Sequence, residues 1–196
     1  MTATTNPTST IVIPDVGELA PDAIIQATSD RDITLSSLWE ATERGLALVF
    51  LRYYGCPFCK EHAQAIEARR HEFRSAGIDV VFVGCGTVDE AWDFRESLGL
   101  SSPVYNDPDR DAYRAYGLGE ASTSSMFNPR VIGGGVRAAV KGHLPGRSSG
   151  NPLQLQGQFL IDRQGIIRAA ARPTLMSEIP SADALLRDAL ALKAAP

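Results

Sequence analysis

The chain has 196 residues, 44% of them hydrophobic and 21% charged, with 19 Lys and Arg against 23 Asp and Glu for a net charge of −4. That length and composition suit a single globular domain that buries its own core, and the mildly acidic balance excludes a general attraction to nucleic acid or anionic membrane. Three cysteines, at 56, 59 and 85, are too few and too odd in number for a secreted disulfide framework.

Met1 to Thr10 is rich in Thr and Ser and has neither the basic residue nor the apolar core of a secretory signal. The longest apolar run, Leu46 to Leu51, has six residues, against the roughly 18 that a membrane span requires. A cytoplasmic protein is expected, with a flexible N-terminus over 1–15 and one domain over 16–196.

Gly17-Glu18-Leu19-Ala20-Pro21-Asp22 is a turn-rich lead-in, and Asp30-Arg31-Asp32 turns a small hairpin. Leu35 to Glu43 reads as a short helix with Ser36 or Ser37 near its cap. Leu46 to Leu51 is continuously apolar, as a strand buried on both faces would be. Cys56-Pro57 then opens a helix predicted to run to about Ala76, with Ala63, Ile66, Arg70 and Phe73 on one face. Gly77 ends it. A buried strand over Ile78 to Val83, a helix over Val88 to Leu98 and a short strand over Pro103 to Tyr105 follow.

Asp107 caps a further helix through Tyr116, and Asp107, Asp109 and Asp111 read as capping and dipole partners. The Ser/Gly-rich interval from about 117 to 156 has room for one helix, near Met126 to Val140, and is long enough to be a functional loop or insertion. His143 and the Gly133-Gly134-Gly135 run within it suggest no site. Gly157 to Ile161 and Ile166 to Ala171 are strands joined by Asp162-Arg163-Gln164-Gly165. Ser181 caps a last helix whose apolar face is Leu185, Leu186 and Leu190. This alternation predicts an α/β fold, a largely parallel sheet with an antiparallel end, covered by helices on both faces.

The chemistry is concentrated in Arg52-Tyr53-Tyr54-Gly55-Cys56-Pro57-Phe58-Cys59-Lys60. A Cys-x-x-Cys at the carboxyl end of a buried strand, where a helix begins, exposes a thiolate to unpaired N–H groups and the positive end of the helix dipole. Such positions bring a thiol from a pKa of about 8.5 into the range of roughly 3.5–7.5. Cys56, taken as the more exposed thiol, is the predicted nucleophile, and Cys59, one turn inward, the resolving thiol. Arg52 and Lys60 add positive charge nearby, and Pro57 suits the first helical position. Inert core cysteines, a non-catalytic redox sensor or binding module, and zinc are the competing readings: a closed zinc site needs four ligands, and Cys85 and His62 would have to complete it. The strand before the pair and the helix after it favour redox chemistry without a metal. Cys85, at the exit of the next parallel strand, lies at the sheet edge where ligands bind and is either a third thiol or a small residue fitting a tight turn. His62 and His71 read as surface residues.

Gly17 to Asp22, Cys56-Pro57-Phe58-Cys59, Tyr105-Asn106-Asp107-Pro108 with Tyr113 and Gly117, and Gln156 to Asp162 together resemble the peroxiredoxin-like branch of the thioredoxin fold. This is the alkyl hydroperoxide reductase/thiol-specific antioxidant type, which includes selenoprotein U-like and prostamide/prostaglandin F synthase-like proteins. The resemblance spans about Val16 to Leu192. It implies a thioredoxin-like core, redox-active Cys56 with Cys59 as partner thiol, and no organic cofactor. It also implies a disulfide or peroxide substrate, an external thioredoxin- or glutathione-like reductant, and a homodimer as a candidate assembly. Tyr53 stands where peroxiredoxins carry Thr, and Gln156 where they carry the Arg that supports the thiolate. Both changes remove groups that would stabilise charge developing on peroxide oxygen. They weigh toward thiol–disulfide exchange, or toward a bulkier peroxide or endoperoxide. Pro-Phe between the cysteines resembles glutaredoxin's Pro-Tyr, which implies a potential of about −200 to −230 mV.

Overall fold

The computed structural model describes residues 13–122 and 149–194, with 133, 140 and 146 between them. The helix expected near Met126 to Val140 falls, apart from residues 133 and 140, outside the described residues, as do Gly134, Gly135 and His143.

Seven strands form one sheet: β1 (Ile24–Thr28), β2 (Arg31–Thr34), β3 (Gly45–Phe50), β4 (Ile78–Gly84), β5 (Val104–Asn106), β6 (Gly157–Asp162) and β7 (Ile167–Ala171), in the order β2-β1-β5-β4-β3-β6-β7. The three central strands are parallel, β3 with β4 and β4 with β5, whereas β6 and β7 continue antiparallel on one side and β1 and β2 on the other. The sheet is therefore mixed, with an antiparallel pair at both ends rather than one.

Every residue of β3 is buried, because side chains alternate between two packed faces. Leu46, Leu48 and Phe50 meet Trp39, Tyr113, Tyr116 and Phe159 beneath α1 (Leu35–Glu40) and α5 (Asp111–Ala115). Ala47, Val49 and Leu51 meet the other layer, made by α2 (Pro57–Glu67), α3 (Arg70–Ser75), α4 (Val88–Leu98) and α6 (Ala182–Ala194). Among the described residues no helix is long and apolar enough to cross a membrane.

Local signals set most helix ends. Thr87 and Glu90 form a reciprocal capping box at α4, with Glu90 N–H donating to Thr87 Oγ1 at 3.2 Å and Thr87 N–H to Glu90 Oε2 at 2.9 Å. Gly99 closes that helix at φ +62°, a left-handed conformation that glycine adopts without strain. The Asp107 carboxylate accepts the backbone N–H groups of Asp111, Ala112 and Tyr113 at 3.2, 2.9 and 3.3 Å, the predicted cap.

Three expectations are corrected. The single helix from Cys56 to Ala76 is two, because the ladder tightens at Arg69, whose N–H reaches Ile66 O rather than a carbonyl four residues back. The cap of α1 is Thr34, whose Oγ1 accepts from Ser37 N–H, while Ser36 is drawn to Asp22. In α6 the packed stripe runs through Leu185, Leu186 and Ala189, and Leu190 is exposed.

Candidate redox-active site

The carboxyl ends of β3 and β4 are tied by one buried phenol: Tyr113 Oη donates to Leu51 O at 2.5 Å and lies 3.1 Å from Val83 O. Beyond that tie the chain crosses the sheet edge as Arg52 to Gly55 and enters α2. Cys56 is the N-cap residue, extended at φ −75° and ψ 121°, and Pro57 is the first helical residue, where its missing N–H costs nothing.

All three cysteines are free thiols, and the redox pair is fully buried. Cys56 is thus not the exposed thiol expected from the sequence: it packs in the core layer of α2, with Arg52 Nη1 at 3.5 Å from its sulfur. Burial pushes the Cys56 thiol up. It is outweighed by the Cys59 thiol donating to its sulfur, by the Arg52 guanidinium, and by the backbone N–H groups of Cys59 and Phe58, which together bring it down to about 7. Both N–H groups belong to the first helical turn, where Cys59 N–H also donates to Cys56 O at 3.1 Å, so the predicted helix-terminus effect is present in the geometry. Burial and its neighbour Cys56 push Cys59 well above the ordinary thiol range. The two thiols are electrostatically unequal, and Cys56 is the one that ionises first.

Arg52 touches all three sulfurs. Its Nη1 lies 3.5 Å from Cys56 Sγ, its backbone N–H donates to Cys59 Sγ at 3.1 Å, and its carbonyl accepts the Cys85 thiol at 2.9 Å. Cys85 consequently sits across the Arg52 backbone from the pair, packed in the opposite core layer, and burial raises its pKa. Tyr53 lies beside the Arg52 guanidinium, 5.7 Å from ring centroid to cation. Gln156 Oε1 lies 4.0 Å from Cys59 Sγ, and its amide nitrogen donates to Glu178 O. The cation beside the Cys56 sulfur is Arg52, two residues beyond the end of β3. Lys60 lines a separate small cleft with Gly55, Glu90 and Asp93. Among the described residues no cluster of three or more His, Cys, Asp or Glu side chains is arranged to hold a metal ion.

His62 is the second correction at the site. It is buried rather than on the surface, with Nε2 3.2 Å from Gln158 Oε1 and Nδ1 without a partner. Burial lowers its pKa to about 4, against the raising effects of Gln158 and Glu61. The unfolded chain binds a proton near pH 6.5 that the fold refuses until about 4, so stability falls as pH drops through that window. The expected slope is about 1 kcal/mol per pH unit. His62→Gln should flatten the change in urea midpoint between pH 7 and pH 5; an unaltered dependence would assign it elsewhere. Sequence reading missed this position, and also Gln154 and Met176, both of which touch Arg52. The one available signal was the alternation of Gln154, Gln156 and Gln158 leading into β6.

Residues 16–170 match the AhpC/TSA family. The thiol-disulfide oxidoreductase ResA of Bacillus subtilis is 31% identical over 116 residues, covering 58% of this chain and 62% of its own. A prostamide/prostaglandin F synthase of Xenopus tropicalis is 27% identical over 160 residues, covering 77% and 75%. The crystal structure of peroxidoxin BcpB from Mycobacterium tuberculosis superposes with a TM-score of 0.64 at 16% identity, over 91% of this chain and 95% of that one. The fold is thioredoxin-like. The chain spans between 40% and 62% of the length of several curated relatives it matches.

Proposed function

The chain belongs to the AhpC/TSA family, and we propose that it is a thiol-dependent oxidoreductase that cycles Cys56 and Cys59 between dithiol and disulfide. The observation that carries this reading is the placement of the pair: Cys56 caps the start of α2 with the Arg52 guanidinium 3.5 Å from its sulfur, and Cys59, one turn on, accepts the Arg52 backbone N–H. That arrangement brings Cys56 down to about 7 and holds Cys59 as a thiol. A thiol poised near ambient pH is close to the optimum for attack on a disulfide.

With a disulfide substrate, the Cys56 thiolate forms a bond to one sulfur as the substrate S–S bond breaks and the first thiolate leaves. Cys59 then loses its proton and attacks Cys56, releasing the second thiolate and closing the Cys56–Cys59 bond. With a hydroperoxide, Cys56 takes the terminal oxygen, the O–O bond breaks and an alcohol departs. The resulting sulfenic acid is displaced by Cys59 with loss of water. In either case two electrons from an external thiol reductant, one thioredoxin-like dithiol or two glutathione-like thiols, restore the pair as the reductant is oxidised to a disulfide. The reducing surroundings such a cycle needs favour a cytoplasmic setting.

Disulfide exchange is the first reading, because Tyr53 stands where the resemblance places a threonine hydroxyl and Gln156 where it places an arginine, both of which peroxide reduction would use. The test exposes the reduced chain to hydrogen peroxide, an organic hydroperoxide and a small aromatic disulfide, followed by mass mapping of the thiols. The expected product is a Cys56–Cys59 disulfide, formed fastest with the disulfide. Faster oxidation by a hydroperoxide would make the chain a peroxidase, and absence of a 56–59 bond with every oxidant would end the dithiol reading.

A further inference from the structure

The guanidinium facing Cys56 is docked on backbone carbonyls. Nε donates to Gln154 O at 3.0 Å, Nη2 donates to Pro152 O, and Met176 Sδ lies 2.9 Å from Nη2. Both carbonyls belong to residues 149–156, a strap laid across the site. At one end, Ser149 donates from its N–H and Oγ to the Glu90 carboxylate at 2.7 and 2.8 Å. Directly after it, Gly150 lies so close that a Cβ there would stand 2.1 Å from Cys85 O and 2.8 Å from Tyr53 Cβ.

Toward the other end stands Gln154, whose side chain is buried. Its amide nitrogen lies 3.0, 3.1 and 3.0 Å from the carbonyls of Leu118, Gly119 and Leu155. Backbone bonds from Leu155 N–H to Gly119 O and from Ala121 N–H to Leu153 O run beside it. The apolar packing here is a small cluster of Ala121, Leu155 and Met176, separate from the two main core layers.

We propose that Gln154 is a positioning residue of the redox site: by pinning the 149–156 strap it aims the Pro152 and Gln154 carbonyls at Arg52 and so holds the guanidinium against Cys56. An arginine side chain has many rotamers and gains little from one partner at 3.5 Å. Two carbonyls and a thioether select the rotamer that faces the sulfur. Where water is excluded, that placement multiplies the effect of the charge. The inference rests on the reading of Cys56 as the nucleophile, but its test does not require turnover.

The experiment measures the rate at which iodoacetamide alkylates Cys56 in the reduced full chain between pH 5 and 9.5, with the modified site assigned by mass spectrometry. Cys59 and Tyr53 are the other ionisable groups whose charge reaches Cys56. The wild-type rate should rise through pH 7. Gln154→Ala and Arg52→Met should each lower the rate at pH 6 about tenfold while sparing it at pH 9, and Arg52→Lys should fall between them and wild type. Mere loosening would instead raise the rate at every pH by improving access. A wild-type midpoint in folded Gln154→Ala would overturn the role of the strap, and one in Arg52→Met would overturn the role of the cation. Should Gln154→Ala fail to fold, Gln154→Asn, one methylene shorter, reads the same midpoint. Turnover surviving in Cys56→Ser would refute the proposed function separately, leaving the titration result standing.

Discussion

Serine in place of Cys56 should abolish turnover with both disulfides and hydroperoxides, by roughly 10³-fold or more. The site is built to ionise a group whose ordinary pKa is within reach of neutrality. The Cys59 thiol, the Arg52 guanidinium and two helix N–H groups bring a buried sulfur to about 7. The same groups acting on an alcohol leave it protonated. Cys59→Ser separates the two thiols. Attack by Cys56 persists, and the product stops as a mixed disulfide or a sulfenic acid, visible as a mass addition on Cys56. Full activity in Cys56→Ser, or clean turnover in Cys59→Ser without an accumulated adduct, would break the assignment of roles.

Phe50→Ala should cost about 3–5 kcal/mol of folding stability, a large share of the roughly 5–15 kcal/mol that holds such a domain together. Phe50 is fully buried in the central strand, and its ring meets Tyr113 at 4.9 Å, Tyr116 at 5.1 Å and Phe159 at 5.9 Å between centroids. Removing it opens a cavity at the meeting point of β3, β6 and α5, and the rings around it cannot collapse without dragging the sheet. The expected result is a lower urea midpoint at unchanged slope. A loss below about 1.5 kcal/mol would mean that the aromatic group repacks. The same residue stands two positions before Arg52, so the variant should also broaden the pH profile of Cys56 alkylation.

Much of this molecule was legible locally. Asp107 announces a capped helix, the run from Leu46 to Leu51 a strand buried on both faces, and Cys56-Pro57 the start of a helix with a thiol at its positive end. Each of these is governed by residues within one turn or one strand of each other. The misreadings occurred where two elements meet. His62 is polar and lies on the helix after the motif, which in isolation reads as a surface position. It is buried because β6 brings Gln158 against it. Leu190 reads as core because it is apolar, and is exposed because the helix turns Ala189 inward instead.

The sequence by itself determined the order of elements, the α/β class and the placement of a dithiol at a strand-to-helix turn, because hydrophobic period, caps and turns are short-range rules. Only the tertiary structure decided where the charge on Cys56 comes from. Arg52 is four residues away in the chain, but its direction is set by carbonyls 100 and 102 positions further on. No local pattern encodes that contact, since it forms only when the strap and the sheet edge have already been brought together by the packing of everything between them.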